Sequence, residues 1–426
     1  MNATVENKIV ESCTLIYVEV DENSNKVWKG SVLEEGAFLA EWGRVGSKLQ
    51  SKKHEYRSLK LARRKLEQMK HQKLRKGYTH ALVIDNDRPV SIPLEARELE
   101  KIAATQIHHG KDPRAKQLIR YLVKVNIHQI VSQTQISYDR ISGNWKTPLG
   151  LVTSDAIATA REYLTEIGKN RRKSSLRQLI SKYLRLIPQN LGHKLDESVF
   201  CSDRELQRQF EILNALEIAL EIAPRQVKST IFECTLRRVP GSTSEGKKTF
   251  RWIRNLYEST INQHHISANY QLSRVYEIDI PSMRRAFELK SKQIGNVKLH
   301  WHGTKASNLL SILRQGLIIP PANAVHCTGR MFGNGIYGSE QSTKALNYAT
   351  NYWNQSGDSN QKAFMLLCDF ALGREYYPKN LNVSYPVKDY DSTYVDPGNA
   401  NIINQESIVY NTDQVNIKYL CAFDLQ

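Results

Sequence analysis

Three short segments in the C-terminal half carry residue types that could do chemistry. VKLHWHGT at 297–304 puts His302 at the end of a strand-like run. MFGNGIYGSEQSTKALNYA at 331–349 holds Tyr337, Lys344 and Tyr348, and QESIVY at 405–410 puts Glu406 ahead of Ile408-Val409-Tyr410. A carboxylate at the mouth of a buried strand must find a partner or be costly. An anion held there can also stabilise positive charge that develops in a transition state. Taken singly, a histidine at a strand end is more often structural, and the two tyrosines would be ordinary core aromatics. Cys13, Cys201, Cys234, Cys327, Cys368 and Cys421 are scattered, with no C-x-x-C pair. Neither a zinc site nor a disulfide framework is expected, and reduced thiols fit an intracellular compartment.

The elements that must position these residues belong to a strand-rich α+β region at 225–426. Strands are expected near 230–238, 249–258, 274–280, 297–301, 363–372, 407–411 and 415–423, with helices near 305–315 and 340–352 and a loop at 240–246. Ahead of it, 94–222 reads as a helical bundle. Asp112-Pro113 supplies an N-cap and a proline at the first helical position, with Leu118, Leu122 and Val125 facing inward. Further helices are expected at 154–167, ending before Gly168, and at 175–187. Ser202 to Glu205 reads as a capping box before Leu206, Phe210 and Leu213. Residues 85–93 read as a linker. The first region, 1–88, carries strands at 14–20 and 37–42, a turn at 21–25, and a helix at 58–76 with Leu59, Ala62, Leu66 and Met69 on one face. Gly77 is placed to end that helix as a left-handed cap. The fold class is therefore multidomain α+β: a small α/β domain, an all-α bundle and a larger α+β domain.

Charge narrows the class of partner. The chain has 426 residues and a net charge of +17, more than one hydrophobic core usually supports in length and enough charge to attract polyanions. Between Trp42 and His80 there are thirteen Lys or Arg, among them Arg44, Lys48, Arg63 and Arg64, against only Glu55 and Glu67. A run of charge is commonly a solvated face, but this concentration points to nucleic acid. No apolar run has membrane-spanning length, and Met1 to Glu11 lacks the pattern of a signal peptide.

Taken together, His302-Gly303, Gly335-Ile336-Tyr337, the Lys344…Asn347-Tyr348 helix, Glu406 and the closing VNIKYL at 415–420 resemble the catalytic domain of the poly(ADP-ribose) polymerase family. The motif Glu41-Trp42-Gly43-Arg44-Val45-Gly46 is similar to the signature of the WGR domain of DNA-dependent members. The bundle resembles their helical regulatory domain, notably at Pro148-Leu149-Gly150-Leu151 and Leu186-Ile187-Pro188-Gln189. No zinc-finger region is expected ahead of these segments, which would make the arrangement like that of the shorter, WGR-led members. The resemblance implies a WGR domain at 1–88, an autoinhibitory helical domain at 94–222 and an ADP-ribosyltransferase domain at 225–426.

It further implies a DNA-break-activated polymerase that cleaves NAD, releases nicotinamide and passes ADP-ribose to acceptor proteins, itself included, and to growing chains. His302, Tyr337 and Glu406 would be the catalytic triad. His302 would bind the adenosine ribose, Gly303 the nicotinamide carboxamide, and Tyr337 and Tyr348 would stack on the nicotinamide ring. Lys344 would assist transfer. Trp42 would lie against the end of a DNA strand, with Arg44, Lys48, Arg63 and Arg64 near DNA. NAD is then a substrate, no metal is required, no membrane is involved, and the chain is expected inside the cell with the DNA, in nucleus or nucleoid. Two rivals stand: a mono-ADP-ribosyltransferase, against which Glu406 argues, and a catalytically silent scaffold that binds DNA ends. RNA 2′-phosphotransferases share related chemistry but not this triad.

Two positions depart from the family pattern: Ala345 where a serine usually binds the carboxamide, and Ile318 where an arginine is usual. One lost hydrogen bond is worth roughly 0.5–1.5 kcal/mol, and about 1.4 kcal/mol is tenfold in affinity. Benzamide-type inhibitors should therefore bind several-fold more weakly here, and Ala345→Ser should restore the loss. Inhibition curves that worsen for Ser342→Ala, with no gain from Ala345→Ser, would mean that the hydroxyl had moved one turn along the same helix face.

Overall fold

The computed structural model describes residues 9–45, 47–56, 58–80, 107–134, 137–139, 144–147, 150–170, 175–189, 200–222, 232–319, 331–350, 362–380 and 383–426. The linker expected at 85–93, and Gly46, Pro148 and Leu149 of the quoted motifs, lie outside them. Residue contacts divide the chain into one unit of residues 1–95 and 128–223 and another of 96–127 and 224–426.

In the first unit the strands β1 (Ile9–Glu19), β2 (Ser24–Leu33), β3 (Ala37–Arg44) and β4 (Gln50–Glu55) follow one another antiparallel, and β5 (Thr79–His80) pairs with β1. Helix α1 (Leu59–Arg75) covers one face, with Ala62 and Leu66 packed against Leu15, Trp28, Val32, Phe38 and Ala40. Apolar burial drives that docking, and the Lys and Arg of α1 are left on the outer side. Gly77 takes φ +81°, and the N–H groups of Gly77 and Tyr78 close on the carbonyls of Leu74 and Lys73 at 3.0 and 3.2 Å. This is the left-handed glycine cap expected at that position.

Helix α2 (Pro113–Gln133) opens as anticipated, with Asp112 Oδ1 accepting the Arg114 and Ala115 N–H groups. Its buried face is centred on Ile119, Leu122, Val123 and Asn126, whereas Val125 is only half-buried. Three short strands follow, β6 (Ser137–Asp139), β7 (Asn144–Thr147) and β8 (Gly150–Leu151). The helices α3 (Ser154–Lys169), α4 (Leu176–Leu186) and α5 (Asp203–Ile222) complete the first unit. Helix α3 runs through Gly168 rather than stopping before it: the glycine keeps a right-handed backbone, and the chain leaves the helix only at Asn170, whose N–H closes on the Glu166 and Ile167 carbonyls. Ser202 Oγ accepts the Glu205 N–H at 3.1 Å, which is the capping half of the expected box.

Among the described residues the second unit holds two sheets. One has the order β11-β13-β17-β10-β9, from β9 (Thr235–Arg238), β10 (Tyr270–Asp279), β11 (Val297–Gly303), β13 (Lys362–Ala371) and β17 (Val415–Leu425). The other has β12 (Ile336–Gly338), β16 (Glu406–Val409), β15 (Ser392–Val395) and β14 (Glu375–Tyr376) in that order. Central β13 is apolar along nearly its whole length because both of its faces are covered. The helices are α6 (Ser244–Glu258), α7 (Pro281–Ile294), α8 (Leu309–Gln315) and α9 (Ser342–Ala349).

Residues 249–258, expected as a strand, form most of α6. Their aromatic and β-branched content suggested β structure, but Phe250, Ile253 and Tyr257 fall at helical spacing and pack on the core beside Trp301 and Phe423. Thr243 caps the helix by accepting the Gly246 N–H at 3.0 Å, so the loop expected over 240–246 ends at Thr243.

Candidate active site

His302, Tyr337, Lys344, Tyr348 and Glu406 converge where the two sheets meet. The junction is a pair of backbone hydrogen bonds: Trp301 N–H to Ser339 C=O at 2.8 Å, and Ser339 N–H to Trp301 C=O at 3.0 Å. This bridge brings the end of β11, which carries His302, against the end of β12, which carries Tyr337. Strand β16 pairs with β12 in the register Tyr337↔Ile408 and Gly338↔Ser407, so Glu406 enters beside them. Helix α9 follows β12 after a short turn and supplies Lys344 and Tyr348.

His302 is half-buried, with Nδ1 2.8 Å from the Tyr337 carbonyl oxygen. A carbonyl only accepts, so Nδ1 carries the proton and the neutral ring offers the Nε2 lone pair. Desolvation holds the imidazole below its ordinary pKa; the Tyr337 carbonyl opposes this and the nearby Lys344 charge adds to it. The ring is therefore neutral near pH 7. The Tyr337 hydroxyl donates to Gly333 C=O at 2.8 Å and accepts the Phe332 N–H at 3.1 Å, closing the loop ahead of its own strand. Both bonds of the hydroxyl are thus made inside the protein, and the ring packs against the cluster of Phe332, Val395, Ala400 and Ile408.

The Lys344 ammonium forms an ion pair with Glu406, and both side chains are nearly buried. It also lies 4.9 Å from the Tyr348 ring centre and 3.5 Å from the Tyr348 hydroxyl. Gly303 has a steric reason of its own. A Cβ there would come within 1.7 Å of the Ala345 carbonyl oxygen, so only glycine lets α9 approach β11 this closely. Ser342 is fully buried and its hydroxyl donates to Tyr257 C=O at 2.8 Å, away from any role with a ligand. Ala345 is buried, whereas Ile318 is half-exposed.

Several residues near this constellation had not been singled out by sequence. Thr343 Oγ1 accepts the Asn262 N–H and meets His265 Nδ1, both at 2.9 Å, and Ser267 Oγ donates to Thr343 C=O, pinning the start of α9. Fully buried His300 meets Ser407 Oγ through Nε2 at 2.8 Å. The available signal was the His-x-His spacing of His300 and His302, which puts both on one face of a strand. Among the described residues no group of three or more His, Cys, Asp or Glu could hold a metal ion, and no helix is long and apolar enough to cross a membrane.

In the first unit, Trp42 pairs across the sheet with Trp28 and is half-buried. Arg44 donates to Asn23 C=O at 2.9 Å and to Asn23 Oδ1 at 3.1 Å, fixing the β1–β2 turn. Lys48 and Arg64 are exposed, and Arg63 is exposed with a surface ion pair to Glu11 at 3.1 Å. The same turn reaches the helices. The Asn25 amide donates to Gln189 C=O at 3.3 Å, the Val20 N–H to Ser181 Oγ at 3.2 Å, and Arg185 to Val18 C=O at 3.0 Å. Inside, the amides of Gln189 and Gln209 pair with each other, and Tyr183 donates to Gln209 Oε1 at 2.8 Å.

Comparison with known proteins gives two family matches: a poly(ADP-ribose) polymerase catalytic domain over residues 247–396, and a WGR domain over residues 11–83. Glu406 lies beyond the first match. The chain is 24% identical to the fruit-fly poly [ADP-ribose] polymerase over 97% of its own length and 46% of that protein's. It is 24% identical to human protein mono-ADP-ribosyltransferase PARP3, over 89% of this chain and 75% of the relative. It is 23% identical to rice poly [ADP-ribose] polymerase 2-A, over 96% and 69%. The chain thus spans less than half of the fly protein and about seven-tenths of the other two.

The buried histidine gives a stability test. Desolvation pulls His300 down to about 4, against a backbone bond to Lys298 and the charge of Glu375, which favour protonation, while the Lys298 charge disfavours it. An unfolded imidazole protonates near 6.5, so on acidification the unfolded chain takes up this proton first. Stability should fall between roughly pH 6.5 and 4, by about 1.4 kcal/mol per pH unit for this group. Denaturant midpoints measured from pH 7 to 5 should drop less steeply for His300→Leu than for the parent chain. Parallel slopes would contradict a neutral buried His300.

Proposed function

The chain belongs to the poly(ADP-ribose) polymerase family, and on that premise we propose that it is an NAD-consuming ADP-ribosyltransferase switched on by DNA ends. The observation that carries this reading is the nearly buried Lys344–Glu406 pair beside His302, Tyr337 and Tyr348. In the reaction the bond between nicotinamide nitrogen and ribose C1′ breaks, and its electron pair leaves with neutral nicotinamide. The positive, oxocarbenium-like ribose needs an anion nearby, as in glycoside cleavage, and Glu406 supplies it. The acceptor hydroxyl or carboxylate then bonds to C1′; a hydroxyl releases its proton to solvent. His302, neutral with Nε2 free to accept, suits a ribose hydroxyl. The faces of Tyr337 and Tyr348 suit the nicotinamide ring. Lys344, close to both Glu406 and Tyr348, holds the carboxylate before substrate arrives. Gly303 would present its backbone to the carboxamide.

We take polymer as the product, with protein acceptors including the chain itself. The mono-transferase named among the relatives makes single-unit transfer the alternative outcome. For regulation, we assign 1–88 to DNA, 94–222 to restraint of the active site and 225–426 to transfer. The turn at Asn23 and Asn25 supports this, since it is held by Arg44 on one side and contacts Gln189 on the other. A DNA end drawn to Trp42, Arg44, Lys48, Arg63 and Arg64 would load the same turn that braces α4 and α5. This is a coupling free energy between two sites. Such a chain works where DNA is, in nucleus or nucleoid.

Incubation with labelled NAD, with and without nicked DNA, tests the reading by product size. Glu406→Gln should abolish polymer and leave NAD binding largely intact, since only transition-state stabilisation and acceptor orientation are lost. Undiminished long product from this variant would remove Glu406 from its role.

Binding should favour nicked or broken DNA over closed circles, and Trp42→Ala and Arg44→Ala should reduce activation more than basal rate. Phosphate contacts position a protein without reading sequence, and each contacting cation removed from α1 should lower the salt slope by about one. Equal affinity for closed and nicked circles in titrations would exclude end recognition.

A further inference from the structure

Glu406 is flanked by two polar residues, Gln405 and Ser407, whose side chains are buried and hydrogen-bonded. Ser407 Oγ accepts from Gln405 Nε2 at 2.8 Å and meets His300 Nε2 at 2.8 Å. Gln405 Oε1 accepts the Glu340 N–H at 2.7 Å and the Ser339 hydroxyl at 3.2 Å. The Ser339 hydroxyl also reaches Gln405 C=O at 2.7 Å, and its oxygen accepts the Gln341 N–H at 3.1 Å. Ser339 is the residue whose backbone bridges the sheets at Trp301. One chain of bonds therefore runs from β11 through both neighbours of Glu406 to the turn that leads into α9.

From this geometry we infer that His300, Ser407, Gln405 and Ser339 form a positioning relay that fixes Glu406 for transfer, acting through its backbone. The inference rests on the transferase reading given above. The donor inventory supports the arrangement. The Lys298 carbonyl can only accept, so the proton of the neutral ring sits on Nδ1, facing it at 3.5 Å. Nε2 is then an acceptor for the Ser407 hydroxyl, which in turn accepts from Gln405 Nε2. The charged groups acting on His300 are Lys298 and Glu375, themselves paired at 3.2 Å, so neither brings a lone charge to the ring. Steric packing holds the ring too. The Phe370 ring centre lies 4.9 Å away, and a Cβ on Gly338 would come within 2.9 Å of His300 Cβ, so β12 passes directly over it.

A buried polar network needs all its members satisfied, and that alone would account for stability but not for rate. Positioning predicts a distinct signature, because a displacement of about 1 Å near a reacting centre can cost on the order of 100-fold in rate. In NAD turnover with nicked DNA present, Ser407→Ala and His300→Leu should each lower kcat at least tenfold, with KM for NAD within about twofold. His300→Gln, which can still hydrogen-bond Ser407, should recover most of the loss. The double variant His300→Leu/Ser407→Ala should be no slower than the worse single variant, since the two act as one unit. Ser407→Ala removes a single buried oxygen and carries the test should His300→Leu not fold. Losses confined to KM, or unchanged kcat in folded variants of an active parent, would overturn the relay while leaving the transferase reading intact. A parent chain with no transfer at all would overturn both.

Discussion

Two backbone hydrogen bonds between Trp301 and Ser339 hold the second unit's chemistry together. The His302–Tyr337 and His300–Ser407 bonds, each at 2.8 Å, reinforce the same junction between the two sheets. The bridge is short, and its strength comes from what surrounds it. Trp301 is almost fully buried, with the Tyr257 ring edge-on at 6.3 Å, in a core shared with α6 and α9. Gly303, two residues on, lets α9 come close enough for Lys344 to reach Glu406. Backbone bonds set the registry, apolar packing keeps water from competing for them, and a missing Cβ brings the helix in.

Charge is distributed on a different logic. The excess of Lys and Arg between Trp42 and His80 falls largely on exposed positions of β4 and α1, while the same helix buries Ala62 and Leu66. Like charges at this density repel, so the arrangement costs stability unless a polyanion is nearby. A few surface ion pairs, Lys53–Glu35 and Arg63–Glu11 among them, offset little of it. The interior of the first unit is polar in a directional way instead, through the Gln189, Gln209 and Tyr183 side chains. Their bonds tie the loop after α4 to α5 with a geometry that apolar packing alone would not specify.

How much of this was legible in the sequence depends on how local each signal is. Caps were readable, because Asp112, Ser202 and Gly77 act on backbone groups within five residues. The residues of the candidate site were not readable one at a time; they stood out only because their segments together, in order and spacing, resemble one family's pattern. Helix 244–258 was not readable, because the strand-suited side chains of Phe250, Trp252, Ile253 and Tyr257 masked their helical spacing and the Thr243 cap. Helix 281–294 was missed for the opposite reason: only Phe287 is buried in it, so the apolar stripe is too thin to read. The His300–Ser407–Gln405–Ser339 chain was invisible because its members come from three separate segments. Only the registers of β12 with β16 and of Trp301 with Ser339 bring them together.

The Lys344–Glu406 pair is costly to bury. Both side chains are about nine-tenths buried, and taking two charges out of water costs several kcal/mol per ion before their attraction returns it. Apolar residues of similar volume in such a place are often neutral or better for stability. A pair retained at the meeting point of two sheets is therefore poorly explained as a structural rivet. It is well explained as a carboxylate held in readiness by a cation that can change partners. Lys344 compensates the buried anion and lies 4.9 Å from the Tyr348 ring centre. On the transferase reading proposed above, an approaching cationic nicotinamide ribose would give Glu406 a second positive neighbour, and the lysine would no longer have to be its sole counter-charge. The network behind Gln405 and Ser407 would then matter most, because a carboxylate that exchanges one partner for another keeps its position only if its backbone is held from elsewhere.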